Sequence, residues 1–541
     1  MNLVDKIPKK LTFKKSLIIS IALVVVGALF AFTKPIILRG IIRWMYIARP
    51  GHYVRWKHES KLKLTHKLYL WNITNPNEFA TGTEKPNLKE VGPYVFRQYK
   101  RKVNSEDNDS DDTVSFNYWN IYYFKPDKTA PLTGDEMVTT FNPVIMSALV
   151  KLSFEEPHLL DIAMRGLDAI FNNPSSIFLT MTAMDFINKG IEINCDQKVV
   201  SAKMVCKEMR IQKALRMVND NRNHLRFRWF DLINDTVQGR YTVLRGSKNI
   251  QDVGRVVAIN GEPMLKVYKD NVKCNLINGT DKMFFPPFQQ KQDILWVHAE
   301  NACKSFPLRF KYMKRKRTIS TAYKFVDLSD PLLNKSCECN KFTGCADKGT
   351  VDLSACLGFY VSISSPHFYL ADENLRQKYI GMAPNDKLHE SGIYFDLLTS
   401  GPILAYERFQ INVLSKPLPD YPPLSKLSAG VWLPFLWYEE SFSIPVADFG
   451  LIVGSILSKL TGVVAGYIML ILGFLGCNLV FVTYLQQNTK ILPEIIRVKP
   501  LGNSDSDAKS QWMNVIINRL LKKQVKTEET QSKTEDSQPK T

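Results

Sequence analysis

Two long apolar runs without charge, one near each end, constrain this chain more than any other feature. The first, Ser16 to Phe32, covers roughly 26 Å as a helix at 1.5 Å per residue, enough to cross a bilayer core. The second, Leu460 to Leu485, is 26 residues long and reads as a transmembrane helix outright. Lys6, Lys9, Lys10, Lys14 and Lys15 precede the first run against a single Asp5. A cleavable signal peptide shows the same charge pattern. This run is long for a signal core, and no small-x-small exit precedes Thr33, so an uncleaved anchor is expected. Lys459 and Lys490 flank the second run, and ten basic residues from Lys490 to Lys540 face seven acids. Positive charge outside both runs places both tails in the cytoplasm and exports the middle.

Cysteines and glycosylation sequons fit that layout. Asn72, Asn108, Asn234, Asn278 and Asn334 each precede a Ser or Thr by two residues, and all lie between the runs. So do eight of the nine cysteines: Cys195, Cys206, Cys274, Cys303, Cys337, Cys339, Cys345 and Cys356. In an oxidising compartment an even number reads as disulfides, with 105 possible pairings. Cys477, inside the second run, is left over and reads as a packed thiol. The net charge of +19 is shared among tails and middle. In an exported domain it excludes nucleic acid as the partner and describes a solvated basic face. The run Lys311 to Arg317 belongs to such a face, as a solvated strand edge.

The exported middle reads as mostly strand with one helical block. Thr113 to Phe124 is aromatic-rich and opens with alternating Val114, Phe116 and Tyr118. Asn260-Gly261 between apolar runs marks a hairpin within Val256 to Leu265. Tyr241 to Leu244, Leu357 to Ile363 and Ala405 to Leu414 are further strands. The acidic stretch Ser105 to Asp112 is expected as an exposed loop. The helical block spans about 142–219, with a break near Asn172 to Pro174. One helix is expected from Ser175 or Ser176, carrying Ile177, Phe178, Met181, Met184 and Ile187 at helical spacing. Such a stripe is a core face or, alternatively, a pliable apolar mouth for a lipid-like ligand.

Motifs of enzyme chemistry are absent. There is no Gly-x-Ser-x-Gly elbow, no phosphate-cradling glycine loop and no His-Glu-x-x-His pair, since His389-Glu390 lacks the second histidine. Cys337-Glu338-Cys339 is not zinc spacing. Asp327, Asp330 and Asp396 read as turn caps. No cofactor, no metal and no catalysis are expected.

Several phrases together resemble the class B scavenger receptors, which include the fatty acid translocase and the lysosomal integral membrane proteins. They are Trp71-Asn72-Ile73-Thr74-Asn75-Pro76, Glu90-Val91-Gly92-Pro93-Tyr94, Phe285-Pro286-Pro287-Phe288, Leu357 to Tyr369 and Trp432 to Trp437. Gly190 to Cys195, Cys206 and Tyr241 to Val253 look most like the sensory neuron membrane protein branch. The resemblance implies a mainly β fold with a helical cap (α+β): an antiparallel β-barrel-like ectodomain with an internal apolar tunnel, flanked by two transmembrane helices. It implies pairs Cys274–Cys337, Cys303–Cys356 and Cys339–Cys345, with Cys195–Cys206 as an extra local pair. The resulting division is a cytoplasmic tail at 1–15, a first helix at 16–33 and an ectodomain at 34–450. A second helix and its approach follow at 451–485, then a largely disordered cytoplasmic tail at 486–541.

One departure concerns the ligand. The fatty acid translocase has a lysine pair before its Ser-Ser-Met-Phe, whereas Phe171 to Phe178 here contains none. A carboxylate loses its ion-pair partner, which favours esters, aldehydes or alcohols. The implied ligand entrance comprises Phe171, Asn173, Phe178, Met181 and Met184. The tails lack membrane-proximal cysteines for palmitoylation, and Leu520-Leu521 lacks the acid of a lysosomal signal. The expectation is therefore a plasma-membrane receptor for lipids or hydrophobic small molecules, including pheromones or odorants. A soluble carrier protein would supply them, and the bilayer or a sensory co-receptor would receive them. Two alternatives stand beside it: a docking or adhesion receptor without lipid transfer, and a subunit of a two-helix ligand-gated channel. The channel reading is thinly supported, because the second run offers few polar residues. Its Gly462-x-x-x-Gly466 spacing suits close helix packing instead.

Overall fold

The computed structural model describes residues 13–33, 40, 64–211, 217–221, 223–228, 234–268, 274–283, 285–291, 293–316, 319–326, 339–395, 402–427, 431–443 and 449–488. The chain divides into two compact units, residues 1–30 with 465–541, and residues 31–464.

Apolar helices build the first unit. Lys14–Phe32 and Val464–Leu485, 19 and 22 residues long, each suffice to cross a bilayer. Glycines set their approach. A Cβ on Gly27 would stand 2.8 Å from Gly466 O, and one on Gly473 would stand 2.8 Å from Val24 N. Without side chains at these points the two backbones touch, the usual device for helix association where lipid removes the hydrophobic drive. Two polar side chains of the second helix bond to its own backbone: Asn478 donates to Phe474 O and Thr483 to Leu479 O, both at 2.9 Å.

The larger unit is mainly antiparallel β. Its principal sheet has 13 strands, and its main path runs Val256–Ile259, Thr236–Leu244, Thr113–Phe124, Leu88–Asn108, Leu64–Ile73, Val431–Ser443, Pro402–Ser415, Gly392–Phe395, Ile319–Val326, Lys304–Lys316, Leu295–Ala299. Thr113–Phe124 is a strand with the bounds its alternation predicts, burying Val114, Phe116 and Tyr118. The strands Leu64–Ile73 and Val431–Ser443, brought together from opposite ends of the unit, pair at the centre of the path.

No closed barrel forms. Among the described residues no ladder joins the edge strands Val256–Ile259 and Leu295–Ala299. Instead Gly279 and Thr280 stitch them: Val256 N–H donates to Gly279 O (2.9 Å), Thr280 N–H to Trp296 O (3.0 Å) and His298 N–H to Thr280 O (2.9 Å). Gly279 sits at φ +91°, and a Cβ there would lie 2.0 Å from Trp296 O, so glycine is obligatory at this seam.

The cap carries the helices Pro143–Glu155, Leu160–Ile170 and Val200–Ile211. Asn142 caps the first, its Oδ1 accepting from Val144 and Ile145 N–H, with Pro143 fitting the first turn. Phe435 of the main sheet anchors the cap through Phe141 (5.4 Å) and Phe186 (5.3 Å).

Three expectations are corrected. The helix expected from Ser175 is a strand, Phe178–Thr182, paired with Met137–Phe141; only Asp185–Lys189 turns helically. Thr180 and Thr182 are β-branched, and the Thr139–Thr180 hydroxyl pair at 2.8 Å gives this edge a cross-strand partner that helical spacing did not reveal. The block 142–219 also holds strands at Ile191–Asn194 and Met217–Asn221. The acidic stretch 105–112 is the tip of a hairpin, since the strand Leu88–Asn108 runs into it. Asp112 there is buried, accepting from Lys248 N–H and Arg245 Nε. Finally, Leu357 ends a short helix, Ser354–Leu357, and the strand begins at Val361.

Candidate functional site

A chamber of about 230 Å³ lies within the concave sheet beneath the cap. Its roof is apolar: Val144, Phe227, Phe359, Val413 and Phe435 contribute. Its floor is polar, and the closing segment builds much of it. Having crossed the seam at Gly279–Thr280, the chain turns inward and delivers Asp281 and Lys282. Asp281 accepts from Lys102 Nζ at 3.0 Å and Tyr118 OH at 2.6 Å, while Lys282 pairs with Glu407 at 2.6 Å. Burial pulls the Lys102 ammonium below its ordinary value, and Asp281 opposes that pull. Burial also works against the Glu440 carboxylate, but Lys100, His66 and Lys282, with a hydrogen bond from Gln98, outweigh it and hold Glu440 below the usual carboxylate range. At the floor Lys102 is thus set against Asp281 and Lys282 against Glu407.

Two histidines complete the floor. Burial lowers both His66 and His298 to about 4, with Lys282 adding to the effect on His298, so both are neutral at pH 7. Beyond the floor lies a second void of about 70 Å³, sharing Lys100, Lys282, Glu407, Phe409 and Glu440 as its wall. The family likeness implies one continuous tunnel; among the described residues there are two neighbouring voids with charged residues in their shared wall.

A second buried polar cluster joins Glu90, His367, His389 and Trp437. Trp437 Nε1 donates to Glu90 Oε2 at 2.7 Å, and His367 Nε2 meets the same oxygen at 2.8 Å. His367 and His389 stack at 4.3 Å, and Trp71 packs edge-on to His367 at 4.7 Å. One carboxylate and two imidazoles within 4.8 Å suggest a metal centre. Their hydrogen bonds argue against it. Ala383 N–H donates to His367 Nδ1 (3.1 Å) and Asn385 N–H to His389 Nδ1 (3.0 Å). Each Nδ1 lone pair is committed, each Nε2 carries the proton, and neither neutral ring has a lone pair for a cation. Burial lowers His389 to about 4, with Arg408 adding to the effect and Glu90 opposing it. Sequence reasoning noticed His389 only as half of a failed zinc motif. Its real partners come from separate phrases: Glu90-Val91-Gly92, Ser365-Pro366-His367 and Leu433 to Trp437.

The residues expected at the ligand entrance lie apart from the chamber lining. Phe171, Phe178, Met181 and Met184 are half-buried against the main core, and Phe178 rests 6.0 Å from Phe79. Asn173 is exposed at φ +52° in the break after the second cap helix. None of the five borders the chamber. Its polar floor was missed because no short motif carries it.

Among the sequons, Asn108 and Asn278 are exposed. Asn72 and Asn234 are half-buried, their side-chain oxygens accepting from Thr139 and Tyr122 N–H, both at 2.8 Å. Asn334 lies outside the described residues, as do Cys337, Asp327, Asp330 and Asp396. Disulfides close between Cys195 and Cys206 and between Cys303 and Cys356. Cys274 and Cys345 are also disulfide-bonded, and the Cys345 backbone lies opposite Cys339 in a two-stranded ladder. Cys477 is free.

Two apolar helices, a broad antiparallel sheet and an internal chamber define a membrane receptor class, and comparison gives it a name. A model of the CD36 family matches residues 18–485, and the chain belongs to that family, the class B scavenger receptors. It is 36% identical over 400 residues to sensory neuron membrane protein 1 of Aedes aegypti, covering 73% of each chain. Over 447 residues it is 34% identical to sensory neuron membrane protein 1 of Anopheles gambiae, covering 81% of each. The counterpart from Manduca sexta is 34% identical over 387 residues, 70% of this chain and 73% of that one.

Proposed function

We propose that the chain is a plasma-membrane receptor for lipid-like molecules, including odorants or pheromones. It takes them from a soluble carrier, holds them in the chamber, and passes them to the bilayer or to a sensory co-receptor. In this reading residues 34–450 lie outside the cell, both tails are cytoplasmic, and glycans sit on Asn108 and Asn278. The half-buried apolar side chains of Phe171, Phe178, Met181 and Met184, with Asn173 beside them, form the approach on the cap. The work is binding and transfer, without covalent chemistry or cofactor.

The observation that carries the reading is the chamber, roofed by apolar side chains and lined by sheet and cap. Moving an alkyl chain from water into such a space gains about 0.8 kcal/mol per CH₂. The channel alternative draws less support, since Asn478 and Thr483 of the second span bond to their own backbone.

The test uses the full-length chain in bilayer nanodiscs, titrated with a fluorescent long-chain alcohol and competed with neutral and carboxylate analogues of equal length. Saturable binding, displaced better by the neutral analogues, is expected. A folded receptor without saturable binding would sink the proposal and leave a docking role.

A further inference from the structure

The chamber floor contains a donor that the protein leaves unused. His298 is 1% exposed, lines the chamber, and lies near Lys282. Its Nδ1 is 3.0 Å from Ser305 Oγ, and Ser305 Oγ itself accepts from Asn278 N–H at 2.9 Å. The Ser305 hydroxyl has no acceptor other than His298 Nδ1 among the described residues, so the tautomer that satisfies it directs the hydroxyl proton to Nδ1. The neutral ring then carries its proton on Nε2, which is buried and has no partner in the protein. A buried donor left without an acceptor costs roughly 1–3 kcal/mol, so such groups are rare unless something fills the need.

Neighbouring floor groups are committed to each other. Lys102 and Tyr118 address Asp281, Lys282 addresses Glu407, and Gln98 Nε2 donates to Asn120 Oδ1 at 3.3 Å. A ligand carboxylate arriving here would meet Asp281, Glu407 and Glu440. A neutral acceptor would meet a waiting N–H.

Resting on the lipid-receptor reading above, we propose that His298 Nε2–H is the head-group site of the chamber. It takes the carbonyl oxygen of a neutral aldehyde, ketone or ester, whose alkyl chain lies upward under Val144, Phe359 and Phe435. The bland alternative is a histidine held for packing, its Nε2 met by a trapped water. That alternative gives His298 no part in choosing between ligands.

The experiment competes a fluorescent long-chain probe from the full-length receptor in nanodiscs with two molecules of equal length, a methyl ester and the plain hydrocarbon. One net hydrogen bond predicts roughly a five- to tenfold preference for the ester. His298→Leu should abolish that preference while keeping hydrocarbon affinity, which also certifies an intact chamber. His298→Gln, which keeps an N–H donor, should retain most of it. A preference that survives in His298→Leu, or an equal loss for ester and hydrocarbon, would overturn the head-group assignment. A wild-type receptor displaced by neither molecule would instead overturn the receptor reading itself.

Discussion

The two buried polar clusters differ in how completely they are satisfied. Around Glu90 the carboxylate takes two donors and both histidines accept backbone amides, while aromatic rings fill the remaining space and leave Trp71 Nε1 as a buried donor without a partner. Beside it Arg408 reaches Glu439 at 2.7 Å and donates to the Glu390 and Lys387 carbonyls, and Lys67 meets Glu439 at 2.9 Å. At the chamber floor the ions also pair, but around voids, and the buried His298 Nε2 has no hydrogen-bond partner in the protein. A network whose ions and imidazoles are all paired is saturated and fixes a fold, whereas one with an unpaired imidazole N–H beside a void is prepared for a visitor.

Breaking the saturated cluster should have the largest effect. Arg408→Met leaves Glu439 buried with Lys67 as its remaining counter-ion, costing about 3–5 kcal/mol of stability, read as a fall in Tm and poor surface delivery. A fall no larger than that of an exposed charge change would erase the distinction between the clusters. Acid should act next. His66, His298 and His389 sit near 4 in the fold and near 6.5 unfolded, so the unfolded chain binds more protons between those values. Stability is therefore full above pH 6.5 and declines as pH falls toward 4, measurable as Tm against pH. A flat profile across that window would contradict the buried neutral rings.

At the floor, Lys282→Met alone strands Glu407 and should cost about 2–3 kcal/mol, while Lys282→Met with Glu407→Leu should cost less than 1 kcal/mol. Denaturant midpoints of the two singles and the double resolve this cycle. If the double is as damaging as the sum, the shared wall is as much a structural staple as the Glu90 cluster. The smallest effect is expected from chelation. EDTA should leave Tm unchanged within error, because neither histidine has a lone pair to give, and a marked fall would make the Glu90 cluster a metal centre.

Much of the architecture was legible because it is local. The two apolar runs announce themselves by length and Thr113–Phe124 by alternation; Asn260-Gly261 does make a turn, at φ +52° and +82°, but a single bridge from Ile259 to Glu262 stands where a hairpin was expected. The segment after Asn173 misled because Ile177, Phe178, Met181 and Met184 satisfy helical spacing. Pairing with Met137–Phe141, invisible in any short window, decided for a strand. The floor was illegible for a stronger form of the same reason. Lys102 and Asp281 are 179 residues apart, and Lys282 and Glu407 are 125 apart. The phrases that reveal the family, from Glu90, His367 and Trp437, converge on the saturated cluster. A resemblance built on them therefore reports the fold more directly than the ligand.

The short stitch at Gly279 and Thr280 has a consequence for solubility. Two sheet edges with unpaired amides would recruit strands from neighbouring chains. A single two-residue segment shields both at once, through three hydrogen bonds and one position where no side chain fits. Replacing Gly279 would free both edges together, and the molecule would be lost first to self-association.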